Sequence, residues 1–250
     1  MDIRHTLDIR DTLDIRHTLD IRDTLDIRHT LDIRHILYIN LEDRIDRKLH
    51  VEAQLDSIGL VNYTRFNAIK MDNGMLGCSY SHLKCLHYAK ENNWNYVLIV
   101  EDDITFLQPK LFVEKLNTFL KKHQDDWDVI LLAGNNFDPY DNIDDSCIKV
   151  RNCQTTTGYI VKNHYYDKLI NNFETSINKL AIESDNHHYA IDQYWKVLQK
   201  TDNWYLIIPL SVIQLSDYSD IEKKNTNYRD KMLQLTKRPI KKNHKTLVMY

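Results

Sequence analysis

From Ile36 onward, short apolar runs alternate with longer stretches whose apolar residues recur at three- and four-residue spacing. That alternation leaves few architectures open. His35 to Leu41 reads as a buried strand, and Arg44 to Ile58 as an amphipathic helix stopped by Gly59. Tyr63 to Ile69 reads as a second strand, Leu76 to Glu91 as a helix, Tyr96 to Phe106 as a third strand, and Leu111 to Lys122 as a helix. Asp128 to Ala133 makes a fourth strand, ended by Gly134-Asn135-Asn136. This β-α-β-α-β-α-β order predicts an α/β fold with a mostly parallel sheet and helices on both faces. After Asp138 the pattern loosens: Asp138 to Ser146 reads as an exposed loop and Ile148 to Lys162 as one or two strands. Tyr165 to Phe173 and His188 to Lys200 read as helices, and Tyr205 to Ile208 as a last strand.

Ahead of this region, residues 2 to 37 form a near-perfect repeat of the hexapeptide Asp-Ile-Arg-His/Asp-Thr-Leu, with His5, Asp11, His17, Asp23, His29 and His35 at its fourth position. On a helix, six residues advance ~600°, so Ile3, Leu7, Ile9 and Leu13 form no apolar stripe. Residues 1–35 are therefore expected to be a poorly ordered extension, whose histidines meet metal only opportunistically. Residues 222–250 form a basic tail: Lys223 to Tyr250 carries nine Lys or Arg against one Asp, which suits a solvated surface or peripheral contact with an anionic membrane.

The net charge of −3 over 250 residues argues against nucleic acid as a partner. No run reaches the ~20 apolar residues of a transmembrane segment, and the N-terminus has no secretory layout, so a cytoplasmic protein is expected. Cys78, Cys85, Cys147 and Cys153 form no CxxC pair and read as reduced thiols.

Chemistry concentrates where the third apolar run ends in Glu101-Asp102-Asp103. Ligands of an open α/β sheet bind beyond the carboxyl ends of its strands, where carboxylates can hold a divalent cation whose shell is completed by water and a diphosphate. The plainer alternative is that the acids cap a turn or pair with Lys and Arg. Other segments accompany them in order: Ile39-Asn40-Leu41-Glu42-Asp43-Arg44-Ile45-Asp46-Arg47, Gly77-Cys78-Ser79-Tyr80-Ser81-His82, Thr157-Gly158-Tyr159-Ile160-Val161, Ile191-Asp192-Gln193-Tyr194, and Pro209 with Gln214 to Ile221. Together these motifs, spanning residues 36–221, resemble glycosyltransferase family 25, which includes lipooligosaccharide and procollagen galactosyltransferases.

The resemblance implies a GT-A-type, Rossmann-like catalytic domain over 36–221 and an inverting, metal-dependent transfer of galactose or glucose. The donor would be a UDP-hexose and the cofactor Mn²⁺ or Mg²⁺. The acceptor would be a hydroxyl of a glycan, a lipooligosaccharide or a collagen-like protein. On that reading Asp103 is the direct metal ligand, with Asp102 as the other metal candidate, and Glu101 or Asp102 contacts the ribose or a metal-bound water. Asn40 sits where it can bond base or ribose. Arg44 and Arg47 either clamp phosphate or pair with Asp43 and Asp46. Gly158 allows close backbone approach to the donor sugar. Asp192 is the candidate general base, with Glu183 and Asp185 behind it, and it equally suits a helix N-terminus. Ser81 and His82 contact substrate or serve packing. Asp217, Asp220, His187 and His188 are the choices for a further metal ligand from the C-terminal part. A non-catalytic carbohydrate- or nucleotide-binding descendant of the same fold is the competing reading. A nucleotidyltransferase would carry a glycine-rich loop that Asn40 to Arg47 lacks.

Overall fold

The computed structural model describes residues 33–183, 185–235 and 237. The readings of the hexapeptide repeat up to Asp32 and of the tail beyond residue 237 lie outside the described residues.

The first half follows the alternation. Strand β1 (Ile36–Asn40) leads to helix α1 (Ile45–Ser57), β2 (Tyr63–Asn67), α2 (Gly74–Glu91), β3 (Tyr96–Glu101), β4 (Ile104–Phe106), α3 (Pro109–His123) and β5 (Val129–Leu131). Four strands follow: β6 (Asn135–Asn136), β7 (Tyr140–Asn142), β8 (Cys147–Val150) and β9 (Cys153–Gln154). Then come β10 (Gly158–Lys162), α4 (Tyr166–Glu183), the short helices α5 (Asn186–Tyr189), α6 (Ile191–Tyr194) and α7 (Lys196–Gln199), and β11 (Trp204–Ile207). The described chain closes with β12 (Val212–Gln214), the hairpin β13 (Asp217–Ser219) and β14 (Lys224–Thr226), and α8 (Arg229–Met232).

Eight strands form the central sheet in the order β2-β1-β3-β10-β5-β11-β8-β7. All run in one direction except β10 and β8. The sheet is thus mostly parallel in direction, with one reversed strand near its middle. Side-chain alternation along each strand assigns the helices to faces. Leu37, Ile39, Val97, Ile99, Tyr159, Val161, Val129 and Leu131 share a buried cluster with Leu83 and Leu86 of α2 and Leu169 and Phe173 of α4. On the other face Tyr38 hydroxyl donates to Glu52 of α1 across 2.5 Å, and Tyr205 meets Phe119 of α3 at 5.2 Å between ring centres.

Several expectations change. The run Tyr96 to Phe106 is two strands, because the neighbours of β3 give out at its acids: β10 pairs only as far as Val100, and β1 as far as Glu101. Beyond them the chain turns at Asp102 and Asp103 and enters a separate pair, β4 with β12. The segment expected as an exposed loop contains β7, an edge strand, where one open side tolerates Asp and Asn. Helix α4 extends to Glu183, since Ile177 and Leu180 continue its buried face past the polar but buried Asn172 and Ser176. The helix expected over His188 to Lys200 is broken, with Ala190 extended at φ −60° and ψ 143°.

Candidate active site

Glu101, Asp102 and Asp103 occupy the corner where the chain leaves the central sheet. Backbone bonds from Glu101 N to Thr157 O (2.9 Å) and from Leu215 N to Asp103 O (2.6 Å) hold this corner on both sides. Consecutive side chains diverge, and each acid meets a different environment.

Glu101 turns toward α2 and the β9–β10 connection. Its Oε1 accepts from Thr156 Oγ1 at 2.7 Å, lies 3.2 Å from His82 Nε2 and takes the Cys78 thiol at 3.7 Å. Gln214 Nε2 reaches Oε2 at 3.4 Å. Burial alone would raise the Glu101 pKa, but the hydrogen bond and charge of His82, then Thr156 and Cys78, bring it below the ordinary value. Asp102 accepts from Asn40 Nδ2 at 2.7 Å and from Arg47 Nη1 at 3.1 Å. Asp103 differs from both. Its Oδ2 lies 3.8 Å from Arg47 Nη1, and its buried Oδ1 has no hydrogen-bond partner. Burial, followed by the Glu101 charge, pushes the Asp103 carboxyl well above the usual range, against the opposing pull of Arg47. A buried oxygen left unpaired costs about 1–3 kcal/mol, so this arrangement favours a cation at Asp103 Oδ1. The one unpaired carboxylate oxygen of this corner, on Asp103, therefore fits a hard divalent ion, while Asn40 and Arg47 engage both oxygens of Asp102.

Arg44 and Arg47 connect this corner to the β13–β14 hairpin. Arg44 pairs with Asp46 (2.9 Å), Asp217 (2.7 Å) and Asp220 (2.6 Å). Arg47 Nε lies 3.4 Å from Asp217 Oδ2, and Nη2 donates to Tyr218 O at 2.8 Å. Asp43 takes Lys70 instead. Asn40 is buried, with its amide donating to Asp102 and to Arg44 O (3.0 Å) and accepting from Arg65 Nε (2.9 Å). It orients Asp102 through a side chain whose donor and acceptor are both engaged.

The Gly77 to His82 motif has a local physical reason. A Cβ on Gly77 would stand 2.3 Å from Ile69 O, so only glycine lets the start of α2 lie against the incoming loop. Ser81 Oγ locks the same junction, accepting from Ile69 N at 2.8 Å and donating to Gly77 O at 2.7 Å. Cys78 and His82, one helical turn apart, then face Glu101 together. His82 is fully buried, its Nδ1 3.0 Å from Tyr159 hydroxyl.

Asp192 stands at the start of α6. Its Oδ2 accepts from Thr155 N at 3.0 Å, fastening a non-glycine residue at φ 83°, in the left-handed region that costs about 1–3 kcal/mol. Burial raises its pKa, against the Thr155 hydrogen bond and the Lys196 charge. Asp192 shares an environment with the acidic corner: burial first, then Glu101, Asp192 and Asp103, push the Cys78 thiol up. Gly158 is buried in β10, where a Cβ would lie 2.8 Å from Ile104 Cδ1, so its close approach is to β4. Trp195 is core, edge-on to Trp204 at 5.1 Å and donating to Cys153 O at 2.9 Å. Glu183 is exposed, and Asp185 pairs with His188 at 2.7 Å. A surface depression of about 280 Å³ beside Lys90, Trp94 and His164 lies at the opposite, amino end of β3 and has no part in this chemistry.

Sequence reasoning missed Thr156, Gln214 and Arg65 as partners of these groups. Thr156 precedes the Thr157 to Val161 motif and Gln214 opens the Gln214 to Ile221 motif, yet nothing local in the sequence aims them at Glu101.

Residues 70–153 match the family model described as glycosyltransferase family 25 (LPS biosynthesis protein). That stretch contains Gly77 to His82 and Glu101 to Asp103; Asn40, Arg44, Arg47, Gly158, Asp192 and Asp217 lie outside it. A comparison with curated protein sequences returned no match. Among solved structures, the chain is similar to a glycosyltransferase involved in glycosylation of the major capsid of PBCV-1. Identity is 11% and the TM-score 0.43, covering 80% of this chain and 89% of that one. It is also similar to a mannose-1-phosphate geranyltransferase from Thermus thermophilus, at 12% identity and TM-score 0.38, covering 74% of this chain and 62% of that one. A third is a mutant Drosophila β-1,4-galactosyltransferase 7 in complex with manganese, UDP-Gal and xylobiose, at 14% identity and TM-score 0.31. There the coverage is 54% of this chain and 51% of that one. Likenesses this distant carry no functional argument. Among the described residues no helix is long and apolar enough to cross a membrane.

Proposed function

We propose that this chain, a glycosyltransferase family 25 sequence over residues 70–153, transfers galactose or glucose from a UDP-sugar to a hydroxyl acceptor with inversion, using Mn²⁺ or Mg²⁺. The observation that carries the reading is Asp103 Oδ1, a buried carboxylate oxygen without a partner at the carboxyl end of a central strand. Asp103 would hold the ion, with Asp102 as the second carboxylate of the pair. When bound, such an ion supplies Lewis-acid stabilisation of the diphosphate leaving group.

The protein's own groups prepare the rest. Asn40 and Arg47 fix Asp102, while Arg44 and Arg47 hold the hairpin that carries Asp217. Both guanidinium groups present fork geometry suited to phosphate as well as carboxylate. Glu101, kept ionised by His82 and Thr156, is placed to accept a hydrogen bond from a ribose hydroxyl or a water. Asp192 is the general base for the acceptor hydroxyl. Burial raises its proton affinity, the direction that favours general-base work near neutral pH. The acceptor is a glycan, a lipooligosaccharide or a collagen-like chain.

The test is UDP release from individual UDP-sugars with Mn²⁺, with and without a panel of these acceptors. Transfer or metal-dependent hydrolysis is expected. Saturable nucleotide binding without release would overturn the enzymatic reading in favour of a binding-only descendant.

A further inference from the structure

Three side chains away from the acidic corner converge where α3 ends beside the β7–β8 hairpin. His123 stands in the last turn of α3, Asp144 in the β7–β8 connection and Cys147 at the first position of β8. His123 Nε2 lies 3.1 Å from Asp144 Oδ2, and Cys147 Sγ lies 3.8 Å from both His123 Nε2 and Asp144 Oδ1. A tetrahedral zinc ion, with Zn–S of about 2.3 Å and Zn–N or Zn–O of about 2.0–2.2 Å, separates its ligand atoms by about 3.4–3.6 Å. The His123–Asp144 Oδ2 pair stands slightly inside that separation and the Cys147–His123 pair slightly outside it, so small shifts would seat all three groups on one ion. We propose that His123, Asp144 and Cys147 bind Zn²⁺, with water at the fourth position.

Two further observations favour a cation over a plain hydrogen-bonded cluster. Asp144 is oriented in advance: its Oδ1 accepts from Ser146 N (2.7 Å), Ser146 Oγ (2.6 Å) and Cys147 N (3.2 Å), which leaves Oδ2 turned toward His123. Outer contacts of this kind fix a ligand carboxylate. The imidazole is held as well, packed against the rings of Phe119 at 4.8 Å and Tyr205 at 5.8 Å. Lys122 is the competing cation, but its nitrogen is nearer Asp145 Oδ1 (2.9 Å) than Asp144 Oδ2 (3.3 Å). It keeps Asp145 when an ion takes Asp144.

The donor set also decides which ion. Sulfur, nitrogen and oxygen together suit zinc and disfavour the magnesium or manganese expected at an all-carboxylate corner. Zinc here would clip the end of α3 to the hairpin that forms the far edge of the central sheet, closing the chain between His123 and Asp144. Cys78, His82 and Glu101 also lie close together, but they belong to the site already described.

The experiment titrates the metal-stripped, untagged full chain with Co²⁺ alone. A thiolate-to-cobalt charge-transfer band in the near ultraviolet is expected, saturating at one equivalent and displaced by Zn²⁺. Histidines of the N-terminal repeat cannot produce it, since it requires sulfur. The band should persist in Cys78→Ser and disappear in Cys147→Ser. Asp144→Asn keeps the acceptor oxygen that caps Ser146 and Cys147, so it answers the question if Cys147→Ser fails to fold. Its cobalt affinity should fall about tenfold or more, and zinc should no longer raise its melting temperature. Absence of the band in the unmodified chain overturns the proposal. So does a band that survives Cys147→Ser and vanishes in Cys78→Ser, which would place the ion beside Glu101.

Discussion

Arg47 Nη1 lies 3.1 Å from Asp102 Oδ1, tying the start of the first helix to the corner that ends β3. The same side chain reaches Asp103 at 3.8 Å and Asp217 at 3.4 Å, and it is only 11% exposed. One largely buried guanidinium therefore pairs with the Asp102 carboxylate, shares Asp217 with Arg44, and reaches toward Asp103. Arg47→Met should destabilise the protein by about 3 kcal/mol, because it leaves buried charge uncompensated. Mn²⁺ should recover more of that loss in the variant than it adds to the wild type, since the ion replaces a charge already present in the latter. Urea unfolding midpoints of both proteins with and without Mn²⁺ provide the measurement. Equal metal-induced shifts would show that Arg47 and the ion do not share these carboxylates.

Gly77→Ala tests the junction that aims Cys78 and His82 at Glu101. The added Cβ meets Ile69 O at 2.3 Å, and a backbone oxygen cannot rotate away as a side chain does. A loss of about 1–3 kcal/mol is expected from this overpacking, despite the better helix propensity of alanine. A thermal melt unchanged from the wild type would mean that the loop before α2 yields freely.

Strands β1 and β3 were legible because strands buried on both faces leave unbroken apolar runs such as Tyr96 to Val100. Strand β10 has the same kind of run, and nothing in Gly158 to Lys162 states that it travels against its neighbours. Direction depends on how the preceding connection crosses the molecule, which local composition does not record. The acidic run itself was visible, but the differences among its members come from distant residues. Glu101 is met by Thr156, 55 positions away, and Gln214, 113 positions away. Asn40 stood in a recognisable motif, yet its engagement between Asp102 and Arg65 depends on the parallel pairing of β1 with β2 and β3.

Asp202 should set part of the acid stability. It accepts from Lys168 (2.7 Å), Thr201 (3.0 Å) and the hydroxyl of Tyr165. Burial would raise its pKa, but these hydrogen bonds and the Lys168 charge bring it below the ordinary value. A depressed folded-state pKa contributes stability above the unfolded value of about 3.9, and the contribution is lost as pH falls through the lower folded value. Asp202→Asn should therefore cost about 1 kcal/mol at neutral pH, a modest figure because Lys168 is half exposed. The gap from the wild type should close as pH falls below the unfolded value of about 3.9 and through the lower folded one. Chemical denaturation across that range measures it, and a gap that stays constant in acid would remove Asp202 as the titrating group.

Asp103→Asn separates the chemistry of the corner from its architecture. Asparagine copies the protonated acid, which is the form that burial and the Glu101 charge favour when no cation is present. Oδ1 has no partner to lose, and the Arg47 contact to Oδ2 is long at 3.8 Å. Stability should thus stay within about 0.5 kcal/mol of the wild type. Metal-dependent UDP release should fall about 10²–10³-fold, the scale of removing one preorganised electrostatic contact to a developing charge. Circular dichroism and urea unfolding establish the first half, and initial rates at saturating Mn²⁺ the second. Turnover that survives would place the ion elsewhere in the corner. Turnover lost together with the fold would make Asp103 a structural carboxylate, which its unpaired oxygen argues against.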